Sequence, residues 1–282
     1  MASQKLADSN YARFDAEFLL AHVLESTRTF LYENPELELP QVRSDAFKKL
    51  LKLRVQGQPV AYLTGNIEFW SLPLKVSPAV LIPRPETELL VETVLEKIPP
   101  GVDWRLADIG TGSGAIALAL ASERDKCEIH ATDISPAALD IARKNAKQLG
   151  FKQVHFHHGS WTDPLKGKFH LIASNPPYVC SNDPHLEQGD LRFEPRVALT
   201  PGGDGLDAIR EITRRAQPIL VDGGWLVFEH GWNQGPEVRQ IMQDSGFADL
   251  RTIKDLQGLD RVTVGEKTRR NPGNKPSAQN MP

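Results

Sequence analysis

Three glycines at alternating positions are the feature of this sequence that most restricts its fold. Gly110, Gly112 and Gly114 follow a short apolar segment at residues 106–109 and precede an alanine-rich segment. Glycine adopts positive φ and has no Cβ, so this spacing permits a sharp turn that a ligand can approach closely. It predicts a buried strand, a turn and a helix in that order, the first unit of a doubly wound α/β domain.

The alternation of strands and helices continues to residue 266, which predicts a parallel sheet with crossover helices. Further strands are expected at residues 128–132, 154–158, 169–173 and 225–229, with two closing strands near residues 250–253 and 261–264. Helices are expected from Ser135-Pro136 onward and over residues 206–217 and 236–245. A long loop is expected over residues 176–203.

The regions outside this alternation have different patterns. Apolar residues recur at helical spacing over residues 15–25 and 44–55. Residues 68–70 and 74–76 predict a short hairpin. The tail from residue 267 has four basic residues and no acidic one, so we expect it to be disordered. The predicted divisions are a helical domain at 1–66, a hairpin linker at 67–82, an α/β domain at 83–266 and a tail at 267–282.

Charge and cysteine content exclude several classes of protein. The chain has 33 Lys and Arg residues against 36 Asp and Glu residues, for a net charge of −3, which argues against a strongly basic DNA-coating protein. Cys127 and Cys180 are the two cysteines, too few for a disulfide framework. The longest apolar run, residues 115–121, is too short to span a bilayer, and no apolar signal segment follows the first residues. We expect a cytoplasmic protein with no membrane partner.

An acidic residue follows the second predicted strand. Asp133 lies 19 residues after Gly114, at a position where a carboxylate can accept hydrogen bonds from both hydroxyls of a ribose. Together with the glycine turn, it predicts an adenosine-containing ligand at the carboxyl ends of the strands.

Two ligands share these features. Gly110, Gly112 and Ala115 also satisfy the looser fingerprint of dinucleotide-binding proteins, so a nicotinamide cofactor stays open. Asp108 and the third glycine favour S-adenosylmethionine, whose methionine tail carries no diphosphate to be held at a helix N-terminus. In that case we expect Asp108 to face the cationic end of the tail.

The tetrapeptide Asn175-Pro176-Pro177-Tyr178 follows the fourth predicted strand. Its prolines hold the chain extended, so the Asn175 side-chain oxygen and the Pro176 carbonyl offer two hydrogen-bond acceptors. Two acceptors suit the hydrogens of a planar –NH2 group, against which Tyr178 can lay its ring. Such bonds stabilise positive charge that develops on the nitrogen during methyl transfer. The tetrapeptide predicts methylation of an amide or aromatic amine, with Asn175, Pro176 and Tyr178 as catalytic residues.

Over residues 10–266 the sequence resembles the N5-glutamine methyltransferases of peptide chain release factors, the PrmC/HemK family. The resemblance rests on the glycine turn, Asp133, the tetrapeptide and four further motifs. These motifs are Gly57-Gln58-Pro59 with Tyr62 and Gly65, Ile82-Pro83-Arg84-Pro85-Glu86-Thr87-Glu88, Glu194-Pro195, and Gly202-Gly203-Asp204-Gly205-Leu206. The segment at residues 82–88 is more specific to the family than the glycine turn or the tetrapeptide.

The resemblance implies a Rossmann-like S-adenosylmethionine-dependent methyltransferase domain, with a mostly parallel sheet and an antiparallel final strand, beside a small N-terminal helical domain. It implies methylation of the glutamine of the Gly-Gly-Gln motif in class 1 release factors, with S-adenosylhomocysteine as the other product. The N-terminal helices would help to dock the release factor; we expect a monomer and no stable nucleic-acid partner. The cofactor contacts implied are Asp108, Gly110, Thr111, Gly112, Ser113, Gly114, Asp133, Trp161 and Asn175, and the substrate contacts are Asn175, Pro176, Pro177 and Tyr178.

Two other functions fit part of the pattern. A nucleic-acid base methyltransferase acting on an exocyclic amine would use the same tetrapeptide. The net charge and the lack of an obvious base-reading domain argue against it, while the basic tail favours it. A regulator that binds S-adenosylmethionine without catalysis would have no reason to keep Asn175 and Tyr178.

Other reactive side chains have simpler interpretations. His155 and His157 share one face of a predicted strand and His158 follows, but no carboxylate or cysteine stands at ligand spacing, so we predict solvated histidines and no metal site. Cys180 has His185 nearby without a third partner, which predicts a neutral loop cysteine.

Three further residues have positions near the predicted ligand. Trp161 follows the third strand, and the resemblance favours an adenine contact over core filling. Arg84 and Glu86 precede the glycine turn and are expected to shape the site rather than to take part in the chemistry.

Overall fold

Seven strands form the central sheet in the computed structural model, which describes residues 12–269. A separate hairpin consists of β1 (Asn66–Phe69) and β2 (Leu72–Lys75). The sheet strands are β3 (Arg105–Ile109), β4 (Glu128–Asp133), β5 (Val154–His158), β6 (Phe169–Ser174), β7 (Leu220–Glu229), β8 (Phe247–Lys254) and β9 (Asp260–Lys267). Their order across the sheet is β5-β4-β3-β6-β7-β9-β8.

Most of the sheet is parallel. β3 pairs in parallel with both β4 and β6, β4 with β5, and β6 with β7. β9 follows β8 in sequence but lies antiparallel between β7 and β8. The predicted mostly parallel sheet with an antiparallel final strand is therefore confirmed.

The helices of the described residues surround this sheet and precede it. They are α1 (Ala12–Leu24), α2 (Arg28–Glu33), α3 (Gln41–Val55), α4 (Val60–Thr64), α5 (Thr87–Lys97), α6 (Ala115–Glu123), α7 (Pro136–Leu149), α8 (Arg196–Leu199), α9 (Asp207–Ile219) and α10 (Gly235–Asp244). Within residues 12–269, no helix combines the length and the apolar character needed to cross a membrane.

Both faces of the sheet are covered by helices. Leu106 of β3 and Val227 of β7 belong to the apolar core that includes α5 and α6. Their strand neighbours Ala107 and Leu226 belong to a second core that includes α9 and α10. Successive strand residues point to opposite faces, so a strand covered on both sides must be apolar throughout. This accounts for the continuous apolar segments in the sequence.

The N-terminal helices contact the loop that follows β6. The Arg54 guanidinium of α3 pairs with Asp15 of α1, with Nε 2.8 Å from Oδ2, and with Asp190, with Nη1 3.0 Å from Oδ1. The Tyr62 hydroxyl of α4 donates to the Val80 carbonyl at 2.6 Å. These contacts connect the helical region both to the segment before α5 and to the long loop.

The hairpin differs in register from the prediction. Its turn lies at Trp70-Ser71, where both residues have positive φ (52° and 57°), and not at residues 71–73. Two residues with positive φ form the tight turn that matches the twist of a two-stranded hairpin. The Trp70 amide donates to Glu88 Oε1 of α5 at 2.8 Å. Glycine is the usual residue for such a turn, so Trp70 and Ser71 do not indicate its position.

Other elements extend past their predicted bounds. β7 begins at Leu220 rather than at residue 225, and the predicted loop at 176–203 contains α8 and two 3-10 helices, Pro184–Glu187 and Leu191–Phe193. Lys267 belongs to β9 and is buried. Its Nζ donates to the carbonyls of Gln217 and Leu220 at 2.8 and 2.9 Å. Most of the predicted disordered tail, residues 270–282, lies outside the described residues.

Asn145 of α7 connects the hairpin to the glycine turn. Its Oδ1 accepts from the Lys75 amide at 2.7 Å, and its Nδ2 donates to the carbonyls of Lys75 and Ser113 at 3.0 and 2.9 Å. The side chain is fully buried. Backbone groups that lose such a partner inside a protein carry the full desolvation penalty.

Replacing Asn145 with Ala is expected to lower the free energy of unfolding by about 2–4 kcal/mol, because it leaves buried amide and carbonyl groups without partners. Urea denaturation followed by circular dichroism measures this. Lys144→Ala, at the adjacent exposed position, is the matched control. Equal midpoints for the two variants would show that the Asn145 bonds are not needed.

Candidate active site

A cavity of about 480 Å³ lies at the carboxyl ends of β3, β4 and β6. Parallel strands end at the same edge of a sheet, so the loops that follow them meet there. The predicted residues on its wall are Gly110, Gly112, Asp133, Trp161, Asn175 and Pro177. Its size is within the range of small-molecule sites.

The glycine turn gives the cavity an open floor. Gly110 and Gly112 have φ of 76° and 56°, and a Cβ added to either would meet no atom within 4 Å. The amides of Gly110 and Thr111 both donate to the Thr132 carbonyl at 2.9 Å. A side chain at either glycine would therefore project into open space from a strained backbone, and glycine leaves that space to a ligand.

The third glycine serves packing. Gly114 has φ of 88°, and a Cβ there would lie 3.1 Å from Leu118 Cδ1 and 3.3 Å from Ala142 Cβ. It is not among the residues that line the cavity. The absence of a Cβ at Gly114 thus permits close packing between α6 and α7, and its role as a cofactor contact stays a prediction.

Asp108 lies behind the turn and not on the cavity wall. Its Oδ2 accepts from the Thr111 hydroxyl at 2.6 Å and from the Ala117 amide at 3.2 Å, whereas Oδ1 has no hydrogen-bond partner within residues 12–269. The side chain is completely buried, and burial raises the pKa of Asp108 to about 7. Thr111 and Ser113 are buried beside it and do not line the cavity. The Asp108 carboxyl thus supports the turn through Thr111 and Ala117, and its contact with the cationic end of a methionine tail stays a prediction.

Asp133 is held at the cavity wall by two backbone amides. Its Oδ2 accepts from Gly112 at 2.9 Å and its Oδ1 from Ser135 at 2.8 Å. Burial raises the pKa of Asp133, and these hydrogen bonds act in the opposite direction. Each oxygen has a second lone pair, so the fixed carboxylate can accept two further hydrogen bonds.

Trp161 and apolar side chains also line the cavity. Trp161 has positive φ (49°), which is uncommon for a bulky residue, and lines the cavity. Ile134 and Val197 also line it and are largely exposed. This combination suits a flat aromatic group that is bound between apolar surfaces.

The tetrapeptide divides between the cavity and the protein interior. Asn175 and Pro177 line the cavity, and the Asn175 Nδ2 donates to Thr87 Oγ1 at 3.1 Å. Pro176 and Tyr178 are not lining residues. The Tyr178 hydroxyl donates to Glu229 Oε1 at 3.2 Å, which anchors its side chain to the end of β7. Stacking of its ring on a substrate amide stays a prediction.

Gly205 and Gln234 pack closely against the backbone of this tetrapeptide. A Cβ on Gly205 would lie 2.4 Å from the Tyr178 carbonyl oxygen. The same carbonyl accepts from Gln234 Nε2 at 3.0 Å. Gly205, part of the motif at residues 202–206, is therefore a glycine because no larger residue fits against the tetrapeptide.

Arg84 and Glu194 join two of the short sequence motifs. The two side chains form an ion pair, and Glu194 Oε2 also accepts from the Ile82 amide at 3.1 Å. Burial raises the pKa of Glu194, and Arg84 opposes this. Pro195, next in sequence, lines the cavity. Arg84 thus shapes the site, in agreement with the expectation.

Two residues near the site were not identified from the sequence. Thr87 is the first residue of α5 and Glu229 the last of β7. Both are buried and contact the tetrapeptide through Asn175 and Tyr178. Two sequence features could have indicated them. Thr87 belongs to the motif at residues 82–88, and Glu229 ends a buried strand at the same sheet edge as Asp133.

The other reactive side chains lie apart from the cavity. His157 Nε2 is 3.0 Å from Nδ1 of His130, a residue that the sequence did not single out, and His155 is largely exposed. No group of side chains suited to a metal ion occurs in residues 12–269. The Cys180 thiol donates to the Asp204 carbonyl at 3.2 Å, and His185 pairs with Asp183.

Comparisons with known proteins cover nearly the whole chain. A family model described as the PrmC N-terminal domain matches residues 1–65, and one described as the methyltransferase small domain matches residues 85–255. The release factor glutamine methyltransferase of Xylella fastidiosa strain 9a5c is 50% identical over 92% of this chain and 94% of its own length. That of Vibrio cholerae is 49% identical over 93% of this chain and 92% of its own length.

A solved structure with a similar fold is the 16S rRNA N2 G1207 methyltransferase of Thermus thermophilus, determined with AdoMet and guanosine. It aligns with a TM-score of 0.54 and 19% identity, over 72% of this chain and 49% of its own. At this identity the likeness shows the fold alone. It is consistent with the Rossmann-like arrangement of the strands described above.

Asp108→Asn tests whether the buried carboxyl carries the pH dependence expected from its environment. Because the pKa of Asp108 is about 7 in the folded protein against 3.8 in a model peptide, the folded state binds its proton more tightly, and stability falls as pH rises from about 4 to 7. The melting temperature of the variant relative to the wild type should therefore rise across this window.

The exposed Asp103→Asn variant is the control and should follow the wild type at every pH. Differential scanning calorimetry at four values between pH 4 and 8 gives the comparison. A constant difference between Asp108→Asn and the wild type over this range would contradict the prediction.

Proposed function

The chain belongs to the family of release factor glutamine methyltransferases, and we propose that it methylates the side-chain amide nitrogen of the Gly-Gly-Gln glutamine in class 1 peptide chain release factors. The observation that carries the proposal is the position of Asn175. Its Nδ2 is engaged by Thr87, so its Oδ1 is left to accept a hydrogen bond at the wall of the cavity that Asp133 also lines.

The cavity residues fit S-adenosylmethionine as the methyl donor. When bound, this compound supplies an electrophilic methyl group on a sulfonium. The open turn at Gly110 and Gly112 would leave room for it, and Asp133 has a free lone pair on each oxygen for the two ribose hydroxyls. Trp161 offers an aromatic surface for the adenine.

The tetrapeptide would act on the acceptor nitrogen. A glutamine amide is a poor nucleophile because its lone pair is delocalised, and its pKa is too high for a side chain to deprotonate it at neutral pH. Asn175 Oδ1 and the Pro176 carbonyl would accept one N–H bond each and stabilise positive charge that develops on the nitrogen. As the nitrogen–methyl bond forms, the methyl–sulfur bond breaks, S-adenosylhomocysteine is left and one N–H proton passes to water.

Alignment would supply the rest of the rate enhancement. The two acceptors hold the –NH2 group in one plane and at one distance from the methyl donor site, which replaces an encounter in solution with a fixed geometry. Pro177 and Pro176 restrict the backbone that carries these acceptors. No general base is required before the methyl transfer.

The remaining features support a protein substrate in the cytoplasm. The N-terminal helices, which contact the long loop through Arg54 and Asp190, are proposed to dock the release factor, and the net charge of −3 does not favour a broad phosphate-binding surface. The proposed active form is a monomer. Cys127 and Cys180 are free thiols, in keeping with a reducing compartment.

Asp133→Ala is expected to weaken S-adenosylmethionine binding about 10- to 100-fold, because two hydrogen bonds to a charged group are lost. Isothermal titration calorimetry measures the dissociation constant, with the exposed Asp140→Ala variant as control. Melting temperatures show whether the loss of the Gly112 and Ser135 contacts unfolds the turn. An unchanged dissociation constant would contradict the ribose contact.

A labelling experiment tests the substrate. The enzyme is incubated with radiolabelled S-adenosylmethionine and, separately, an intact class 1 release factor, the same factor with its Gly-Gly-Gln glutamine replaced by alanine, tRNA, rRNA or DNA. We expect label only on the unaltered factor, and a loss of about 100-fold in turnover for Asn175→Ala with little change in cofactor binding. Label on a nucleic acid and none on the factor would overturn the proposed function.

A further inference from the structure

The orientation of the Asn175 side-chain amide decides whether the tetrapeptide can accept a hydrogen bond from the substrate amide. A 180° rotation of this group exchanges its oxygen and its –NH2 with almost no change in shape. Only the orientation that presents the oxygen to the cavity can accept an N–H bond from an amide substrate. Some part of the protein must therefore set the orientation.

Thr87 is the residue that contacts the inner end of this amide. It is 4% exposed and lies at the start of α5, with its Oγ1 3.1 Å from Asn175 Nδ2. A hydroxyl carries one hydrogen and can both donate and accept. If its hydrogen is directed elsewhere, its oxygen can only accept, and Asn175 must offer its –NH2 group.

Glu229 is the acceptor available for that hydrogen. It is 1% exposed, and its Oε1 accepts from the Tyr178 hydroxyl at 3.2 Å. Its Oε2 is buried and has no hydrogen-bond partner among the described residues. Burial raises the pKa of Glu229 to about 7. The Thr87 hydroxyl has the largest opposing effect on this pKa, because it favours the charged form. The unsatisfied oxygen and the Thr87 hydroxyl are thus complementary.

A purely structural role does not require a carboxyl at this position. A carboxylate with an unpaired oxygen inside a protein is costly, and an apolar side chain of similar size would fill the same space at lower cost. In its ionised form the Glu229 carboxylate accepts hydrogen bonds and donates none, unlike such a side chain or an amide. The hydroxyls of Thr87 and Tyr178 favour this ionised form.

We propose that Glu229 and Thr87 are positioning residues that fix the orientation of the Asn175 side-chain amide. Glu229 accepts from Thr87 and from Tyr178, Thr87 accepts from Asn175, and the oxygen of Asn175 is thereby turned toward the substrate nitrogen. Tyr178 anchors the other end of the tetrapeptide to the same carboxylate. This inference rests on the proposed function, because it takes Asn175 Oδ1 as the acceptor for the substrate amide.

Substitutions at Thr87 separate the hydroxyl from the volume of the side chain. Thr87→Val removes the hydroxyl and keeps the shape, whereas Thr87→Ser keeps the hydroxyl. Thr93→Val is the matched control, because Thr93 lies on the same helix, is also 4% exposed, and donates to the Leu89 carbonyl of its own helix. Glu229→Gln keeps the shape of the acid but adds a donor.

The measurements are kcat with an intact class 1 release factor, the dissociation constant of S-adenosylmethionine and the melting temperature. We expect kcat to fall at least about 30-fold in Thr87→Val and about tenfold in Glu229→Gln, with cofactor binding within about twofold of the wild type. Thr87→Ser should recover to within about fivefold of the wild type, and Thr93→Val should match the wild type in kcat.

The outcomes distinguish this inference from the proposed function. A wild-type enzyme that does not methylate the factor contradicts the proposed function itself. If the wild type is active, equal kcat values for Thr87→Val and Thr93→Val overturn the positioning role, as does a Thr87→Ser variant as slow as Thr87→Val. If Thr87→Val fails to fold, Thr87→Ser and Glu229→Gln test the same claim: an unchanged kcat in Glu229→Gln overturns it.

Discussion

The parallel pairing of β3 with β4 on one side and with β6 on the other is the constraint on which the site depends. It places the glycine turn, Asp133 and Asn175 at one edge of the sheet although they are separated along the chain. These three strands are packed on both faces, so a slip in register would disturb close packing on both sides of the sheet. The core that stabilises the domain therefore also fixes the distances between the cofactor residues and the acceptor.

Buried polar side chains connect this sheet edge to the elements around it. Asn145 holds the hairpin against the glycine turn, and Arg84 with Glu194 holds the segment before α5 against the loop that carries Pro195. Thr87 binds Asn175, and Glu229 binds Tyr178, through side-chain hydrogen bonds. Such groups are stable in the interior only when their partners are in place, so each also specifies the position of the segment that it binds.

Local patterns predicted the strands, the glycine turn and the position of Asp133, because strand periodicity and glycine turns are encoded within a few residues. They did not predict the hydrogen-bond partners of Tyr178 and Asn175. Tyr178 contacts a residue 51 positions away and Asn175 one 88 positions away, and nothing near them in the sequence reports such partners. The hairpin turn was displaced for a similar reason: Trp70 is fixed by Glu88 of α5, not by its own turn propensity.

The position of β9 has a consequence for synthesis of the chain on the ribosome. β7 pairs with β6 on one edge and with β9 on the other, and β9 is the later of the two to be made. Until residue 267 has been added, one edge of the strand that ends in Glu229 has unpaired amide and carbonyl groups. An open edge of this kind is a site for pairing with other chains. During that interval, the unpaired edge of β7 exposes the nascent protein to aggregation.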